Sequence, residues 1–260
     1  MKQPSRPPHE LDVAGVLTPT EFNTAADLWR SIRQAGGREL TNCLLPSGVA
    51  NRLPAVYFPV MQVVELVSAV GVQSIRARFV VLRDEKNHPH FSVVMYAAGA
   101  NDTVLSSYYL ATRYWSSKPG TSVAYSGPMA PKYSRDAPKH ALPVALANYW
   151  VGNWGNAVRY PTSPALFTSA GQPLHGYNFA LSDLMDPLRG LGEFKDQVLA
   201  MSFGLHTFLN SNGTIDAPVA TLGLMLRMVN TSAKDEAGVG DEAGAGDDAY
   251  DVGTPCPPAP

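Results

Sequence analysis

A chain of 260 residues with 45% hydrophobic content and a formal net charge of −2 can bury one large core or two modest ones. It carries no basic run that would read as a nucleic-acid footprint. No apolar run approaches the roughly 20 residues that span a bilayer, and Met1 to His9 lacks the apolar segment of a secretory signal. The expectation is a cytoplasmic protein with neither nucleic-acid nor membrane partner, with export by a route that reads no cleavable signal left open. Cys43 and Cys256 are the only cysteines; reduced thiols are expected of them, and neither lies in a metal-binding spacing.

Residues 1–10 are proline-rich and are expected to be disordered. A first α+β unit is expected over 11–115. Thr18-Pro19-Thr20-Glu21 is a capping-box signal. It precedes Phe22, Ala25, Ala26, Leu28, Trp29 and Ile32 at helical spacing, and Gly36-Gly37 ends the run. Arg38 to Pro54 reads as loop. Tyr57-Phe58-Pro59 opens a second, shorter helix in which Val60, Val63, Val64 and Val67 recur, closed by Gly71. Ile75, Ala77, Phe79 and Val81 then alternate with Arg76, Arg78 and Val80, the signature of a strand. A polar turn from Arg83 to His90 leads to a second strand, Phe91 to Ala97. Thr103 to Trp115 reads as a third.

Residues 116–140 form a Pro/Gly-rich linker, and a second α+β unit is expected over 141–230. Its helix carries Val144, Ala147, Tyr149, Trp150 and Trp154. Its shorter helix opens at Tyr177-Asn178-Phe179 and carries Leu181, Leu184, Met185 and Leu188. Its hairpin runs over Val198 to Leu205 and Ala220 to Met228. Phe58 and Phe179 are 121 positions apart, Trp29 and Trp150 also 121, and Ile75 and Val198 123. These shared offsets predict an α+β protein of two related helix–helix–antiparallel-hairpin units, the mark of an internal repeat. Residues 231–260 hold seven acids and one base, too little apolar surface to offset ordering entropy. They are expected to form a disordered acidic C-terminal tail, solvated or docked on the mildly basic body.

The aromatic-led helix, Ile-Arg strand and hairpin of Phe58 to Met95, together with Gly253-Thr-Pro-Cys-Pro-Pro258, resemble small uncharacterised bacterial proteins. That resemblance implies a bacterial protein and brings no activity.

Candidate chemistry is sparse. His88 and His90 form a His-x-His beside Asp84 and Glu85 that could start a metal site or be a solvated hairpin tip. Arg76 and Arg78 share a strand face and could hold an anion or the acidic tail. Tyr108, Tyr109, Tyr114 and Trp115, with Tyr149, Trp150, Trp154 and Tyr160, could line a binding groove or pack in a core. No nucleophile elbow and no phosphate-binding glycine loop is present, and no cofactor is expected. The reading is a non-enzymatic structural or protein-interaction protein, a component or cargo of a larger assembly, with a protein partner or homo-oligomer. Its rivals are a hydrolase or metal-dependent enzyme working between the units, and a small-ligand binder.

Overall fold

Local chemistry decides where the first helix begins. Thr18 Oγ1 accepts the Glu21 backbone N–H at 3.3 Å while the Glu21 carboxylate accepts the Thr18 N–H at 2.8 Å, a reciprocal cap. The helix ends where Gly36, at φ 65°, donates its N–H to the Ile32 carbonyl. The computed structural model describes residues 15–45, 52–113, 141–169, 171–189, 191–208, 219–230, 249–251 and 254–255. The expectations for residues 1–10, the 116–140 linker and most of the acidic tail fall outside that set.

In chain order the elements are Val16–Leu17 (β1), Pro19–Ala35 (α1), Gly37–Leu44 (α2), Ala55–Pro59 (β2), Val60–Val67 (α3), Ser74–Arg83 (β3) and Pro89–Ala98 (β4). Then come Tyr108–Leu110 (β5), Thr112–Arg113 (β6), Ala141–Leu142 (β7), Val144–Gly155 (α4), Thr168–Ser169 (β8), Gln172–Pro173 (β9) and Gly176–Ala180 (β10). The last are Leu181–Arg189 (α5), Gln197–Phe208 (β11), Val219–Asn230 (β12), Ala249–Asp251 (β13) and Thr254–Pro255 (β14). The fold class is α+β, with strand pairing antiparallel throughout.

Two six-stranded sheets dominate, in the orders β1-β5-β4-β3-β10-β14 and β6-β2-β11-β12-β13-β7. Read from β7, the second order matches the first strand for strand. The hairpin β3–β4 corresponds to β11–β12, and the strand beside each hairpin comes from the other half of the chain. β10 lies on β3 with Phe179 opposite Ile75, and β2 lies on β11 with Phe58 opposite Leu199. Phe58 and Phe179 are both fully buried. The correspondence reaches single hydrogen bonds: Phe79 N–H donates to the His175 carbonyl and Phe203 N–H to the Pro54 carbonyl.

Two short segments pass from one sheet to the other. β5 pairs in the first sheet and β6 in the second, with Ala111 alone between them. β13 pairs in the second sheet and β14 in the first. The sandwich is thereby closed at two corners by strands that change sheet. One apolar core fills it, formed by Ile75, Ala77, Phe79 and Val81 with Phe91, Val93 and Met95 from the first sheet. Leu199, Met201, Phe203 and Leu205 with Leu222, Leu224 and Leu226 meet them from the second. Phe91 touches Phe203 edge-on at 5.6 Å, and the Tyr177 hydroxyl donates to the Leu222 carbonyl. Both halves of the chain share this core.

Several expectations need correction. Tyr57 to Pro59 and Tyr177 to Phe179 are strands, not helix openings; the helices begin at Val60 and Leu181. Arg38 to Pro54 is not all loop, because Leu40, Cys43 and Leu44 share one buried face of α2. The third strand is broken. Val104 makes only an isolated bridge to Ala98, regular pairing starts at Tyr108, and β6 belongs to the other sheet. Within the tail, Ala249–Asp251 and Thr254–Pro255 are paired strands. Trp29 corresponds in its packing to Trp154, not to Trp150. Trp29 sits edge-on to Phe79 and Phe167, while Trp154 sits tilted on Phe203 and edge-on to Phe167.

Candidate functional site

Helix α4 is the feature that most departs from an ordinary surface helix. Its sequence, Val-Ala-Leu-Ala-Asn-Tyr-Trp-Val-Gly-Asn-Trp-Gly, has no charged residue. One side packs inward, with Ala147, Val151 and Trp154 buried and the first two grouped with Leu142 and Met225. Trp150, half-buried, stacks on His206 of β11 with centroids 3.7 Å apart and planes 21° apart. A glycine pair makes the room: Gly204 and Gly223 lie opposite each other in the β11–β12 register. A Cβ on Gly223 would fall 2.0 Å from His206 Nε2, and one on Gly204 2.9 Å from Trp150 Cβ. Burial holds the His206 imidazole down at about 4, so it is neutral at physiological pH, and its Nε2 is buried without a hydrogen bond.

The other side of α4 faces outward. Leu146 is 38% exposed and Tyr149 49%, and Val158 in the turn that follows is 96% exposed. Hydrogen bonds from Thr207 and Asn153 bring the Tyr149 hydroxyl below its ordinary pKa. A helix apolar on most of its circumference is normally covered.

At its C-terminal end α4 is fastened by Arg52, which is 3% exposed. Arg52 donates to Thr162 Oγ1 at 3.1 Å, to the Trp154 carbonyl at 3.1 Å and to the Tyr160 carbonyl. Its guanidinium lies 4.9 Å from the Trp154 ring centroid. Burial lowers its pKa to about 10, which leaves it charged at neutral pH.

The residues singled out from sequence are scattered. Arg76 pairs with Asp102. Arg78 donates to the Tyr177 carbonyl at 3.2 Å and to Asn178 Oδ1 at 3.1 Å, so neighbours on one strand face have separate partners. Tyr108 stacks on Phe22 at 4.3 Å and meets Tyr96 edge-on at 5.1 Å, under the N-terminal half of α1; burial raises its pKa. Trp150 lies against the outer face of the second sheet, while Trp154 is in the core and donates its Nε1–H to the Leu53 carbonyl at 2.8 Å. Tyr114 and Trp115 lie outside the described residues.

His88 Nδ1 and His90 Nε2 both approach Asp84 Oδ2, at 3.4 and 3.1 Å. Asp84 Oδ1 also accepts the backbone N–H groups of Lys86 and His88. The His90 hydrogen bond first, then that from the His88 backbone, lower the carboxyl to about 2. This is an organised turn. Among the described residues no group of three or more His, Cys, Asp or Glu is placed to hold a metal ion, and no helix is long and apolar enough to cross a membrane.

Sequence reasoning passed over Arg52, His206 and Leu146, and named Tyr149 only within an aromatic group. For α4 a signal existed, a helical run of twelve residues without a charge. Arg52 follows a loop composition and precedes a proline two residues on, and nothing local marks it as buried. Compared with known proteins, the chain matches no family model, no curated protein and no solved structure.

Proposed function

We propose that the protein is a non-enzymatic structural or interaction protein of the cytoplasm, a component or cargo of a larger assembly, that docks a second copy of itself through the outer face of α4. The observation that carries this reading is the uncharged helix with Leu146 and Tyr149 exposed one turn apart, followed by the exposed Val158 in the turn after it. A helix without charged residues can meet its own copy across a twofold axis without opposing like charges along its length, and aromatic and aliphatic anchors of this kind dominate interface energetics. The matching strand orders of the two sheets further support descent from one copied module. That origin would suit the chain to symmetric assembly.

Light scattering across a concentration series tests the reading. The wild-type chain is expected to give twice the monomer mass by about 100 µM. Leu146→Glu, at a 38% exposed position, is expected to return it to monomer with its unfolding midpoint unchanged. A wild-type chain that stays monomeric throughout that range contradicts the reading, as does a dimer indifferent to the substitution.

A further inference from the structure

We propose that the Trp150–His206 stack is a pH-operated latch: protonation of His206 releases residues 144–151, the first two turns of α4, from the outer face of the second sheet. The two halves of the chain supply the comparison that singles it out. Phe79 donates its N–H to the carbonyl just before β10, and Phe203 to the one just before β2, so the two hold equivalent places. Counting on from them, Leu82 stands in the first sheet where His206 stands in the second, and Val80 where Gly204 stands. Under α1 that face is aliphatic, with Val80, Leu82 and Val94 packed against Phe22 and Ala25. Packing alone is met there by leucine. Under α4 the face carries a titratable ring in cleared space.

The imidazole is enclosed without a hydrogen bond at Nε2. The Trp150 indole covers one side, with centroids 3.7 Å apart and planes 21° apart. Against β12, Nε2 lies 2.0 Å from where a Cβ on Gly223 would stand. Thr221 is opposite His206 in register, yet its buried Oγ1 has no partner either. The charged and titratable neighbours are few. α4 and the rest of β11 carry no charge. Tyr149 of α4 is engaged by Thr207 and Asn153, with Arg159 close by. Arg227 is the one charged residue of β12 and lies two alternations beyond Gly223. Asp251 of β13 is opposite Met225. Arg52 is held at the far end of α4 by the Trp154 and Tyr160 carbonyls. Burial lowers the imidazole from 6.5 to about 4, so a proton is taken up more readily once the ring is exposed.

Residues 144–151 are built to leave by themselves. Ala147 and Val151 group with Leu142 and Met225 in a small cluster apart from the main core. Trp154 belongs to the main core and is pinned through its Nε1–H to the Leu53 carbonyl. Gly152 separates the two parts, with nothing within 4 Å of a built Cβ, and its backbone freedom suits it to act as the hinge. A small satellite cluster opens at lower cost than the whole fold. The neutral ring favours the closed latch and the protonated ring the open one. Closure is therefore fully stable above about pH 6.5 and weakens as pH falls toward 4, by up to about tenfold per unit and about 300-fold in all.

Amide hydrogen exchange of the full chain at about 1 µM, where self-docking is negligible, tests the latch, with α1 as the reference helix and intrinsic rates corrected. Between about pH 7 and about pH 4.5, protection over residues 144–151 is expected to fall about fiftyfold relative to α1. His206→Leu is expected to abolish that relative fall. Should this variant fail to fold, the His206 ring titration of the wild type, followed by NMR, decides: a midpoint near 4 is expected, and one at the ordinary 6.5 with residues 144–151 still protected overturns the proposal. Equal changes in the two helices of the wild type, or none, also overturn it, as does a folded His206→Leu that keeps the relative fall.

Discussion

Gly176→Ala is expected to destabilise the protein by about 3 kcal/mol or more, a large fraction of the stability of a domain this size. Gly176 stands at φ 147°, and a Cβ there would lie 2.0 Å from the Ala77 carbonyl oxygen and 2.9 Å from Arg78 Cα. Both atoms are backbone, so no side-chain rotation relieves the overlap. Relief requires β10 to move off β3, and that pairing holds Phe179 opposite Ile75 in the core. Gly171 separates this cause from strain alone. It stands at φ 76° with nothing within 4 Å of a built Cβ, so Gly171→Ala is expected to cost only about 1 kcal/mol. Urea unfolding midpoints of the two variants measure the difference. Equal effects would show that backbone conformation, not the close approach of β10 to β3, sets the cost.

Arg52→Ala is expected to cost about 4 kcal/mol, because hydrogen bonds to a charged group contribute roughly 1.5–3 kcal/mol each. The substitution leaves Thr162 Oγ1 and the Trp154 and Tyr160 carbonyls without the donor they share. It also uncovers the Trp154 ring. Arg52 further places a positive charge at the carbonyl end of α4, where the helix dipole is negative. Arg52→Met keeps much of the packing volume and loses the donors, so its cost is expected to fall between wild type and Arg52→Ala. If the methionine variant matches wild type in urea, the hydrogen bonds contribute nothing net and the residue acts through packing alone.

Periodic segments were legible from sequence, and segments defined by distant partners were not. The β3–β4 hairpin announced itself because Ile75, Ala77, Phe79 and Val81 alternate with residues of the other face, and all four are buried. The cap of α1 was legible because Thr18 and Glu21 satisfy each other within one turn. β2 was missed because Tyr57-Phe58-Pro59 abuts a helical run, and its partner Leu199 lies far along the chain. No local pattern records which hairpin a five-residue strand will join. α2 left a readable i, i+3, i+4 signal in Leu40, Cys43 and Leu44, obscured by the prolines and glycine that follow.

At the candidate site, the apolar character of α4 was visible as Tyr149, Trp150 and Trp154. The division of roles was not. Trp154 fills the core and Trp150 stacks on His206, leaving Leu146 and Tyr149 outward. That division depends on how the helix lies on β11, where Gly204 and Gly223 clear the space. The arginines tell the same story. Arg76 and Arg78 look alike in sequence, yet Asp102 reaches only the first, while the second is held by the Tyr177 carbonyl and Asn178 of a strand from the other half of the chain.

Each hairpin is completed by a strand from the other half of the chain. Dividing the protein within residues 114–140 and producing 1–127 and 128–260 as separate polypeptides tests it most directly, by circular dichroism and urea unfolding of each alone and of the mixture. Neither piece is expected to unfold cooperatively by itself, and an equimolar mixture is expected to form a 1:1 complex with a single transition. A cooperative transition in either isolated piece, unchanged when the other is added, would contradict it.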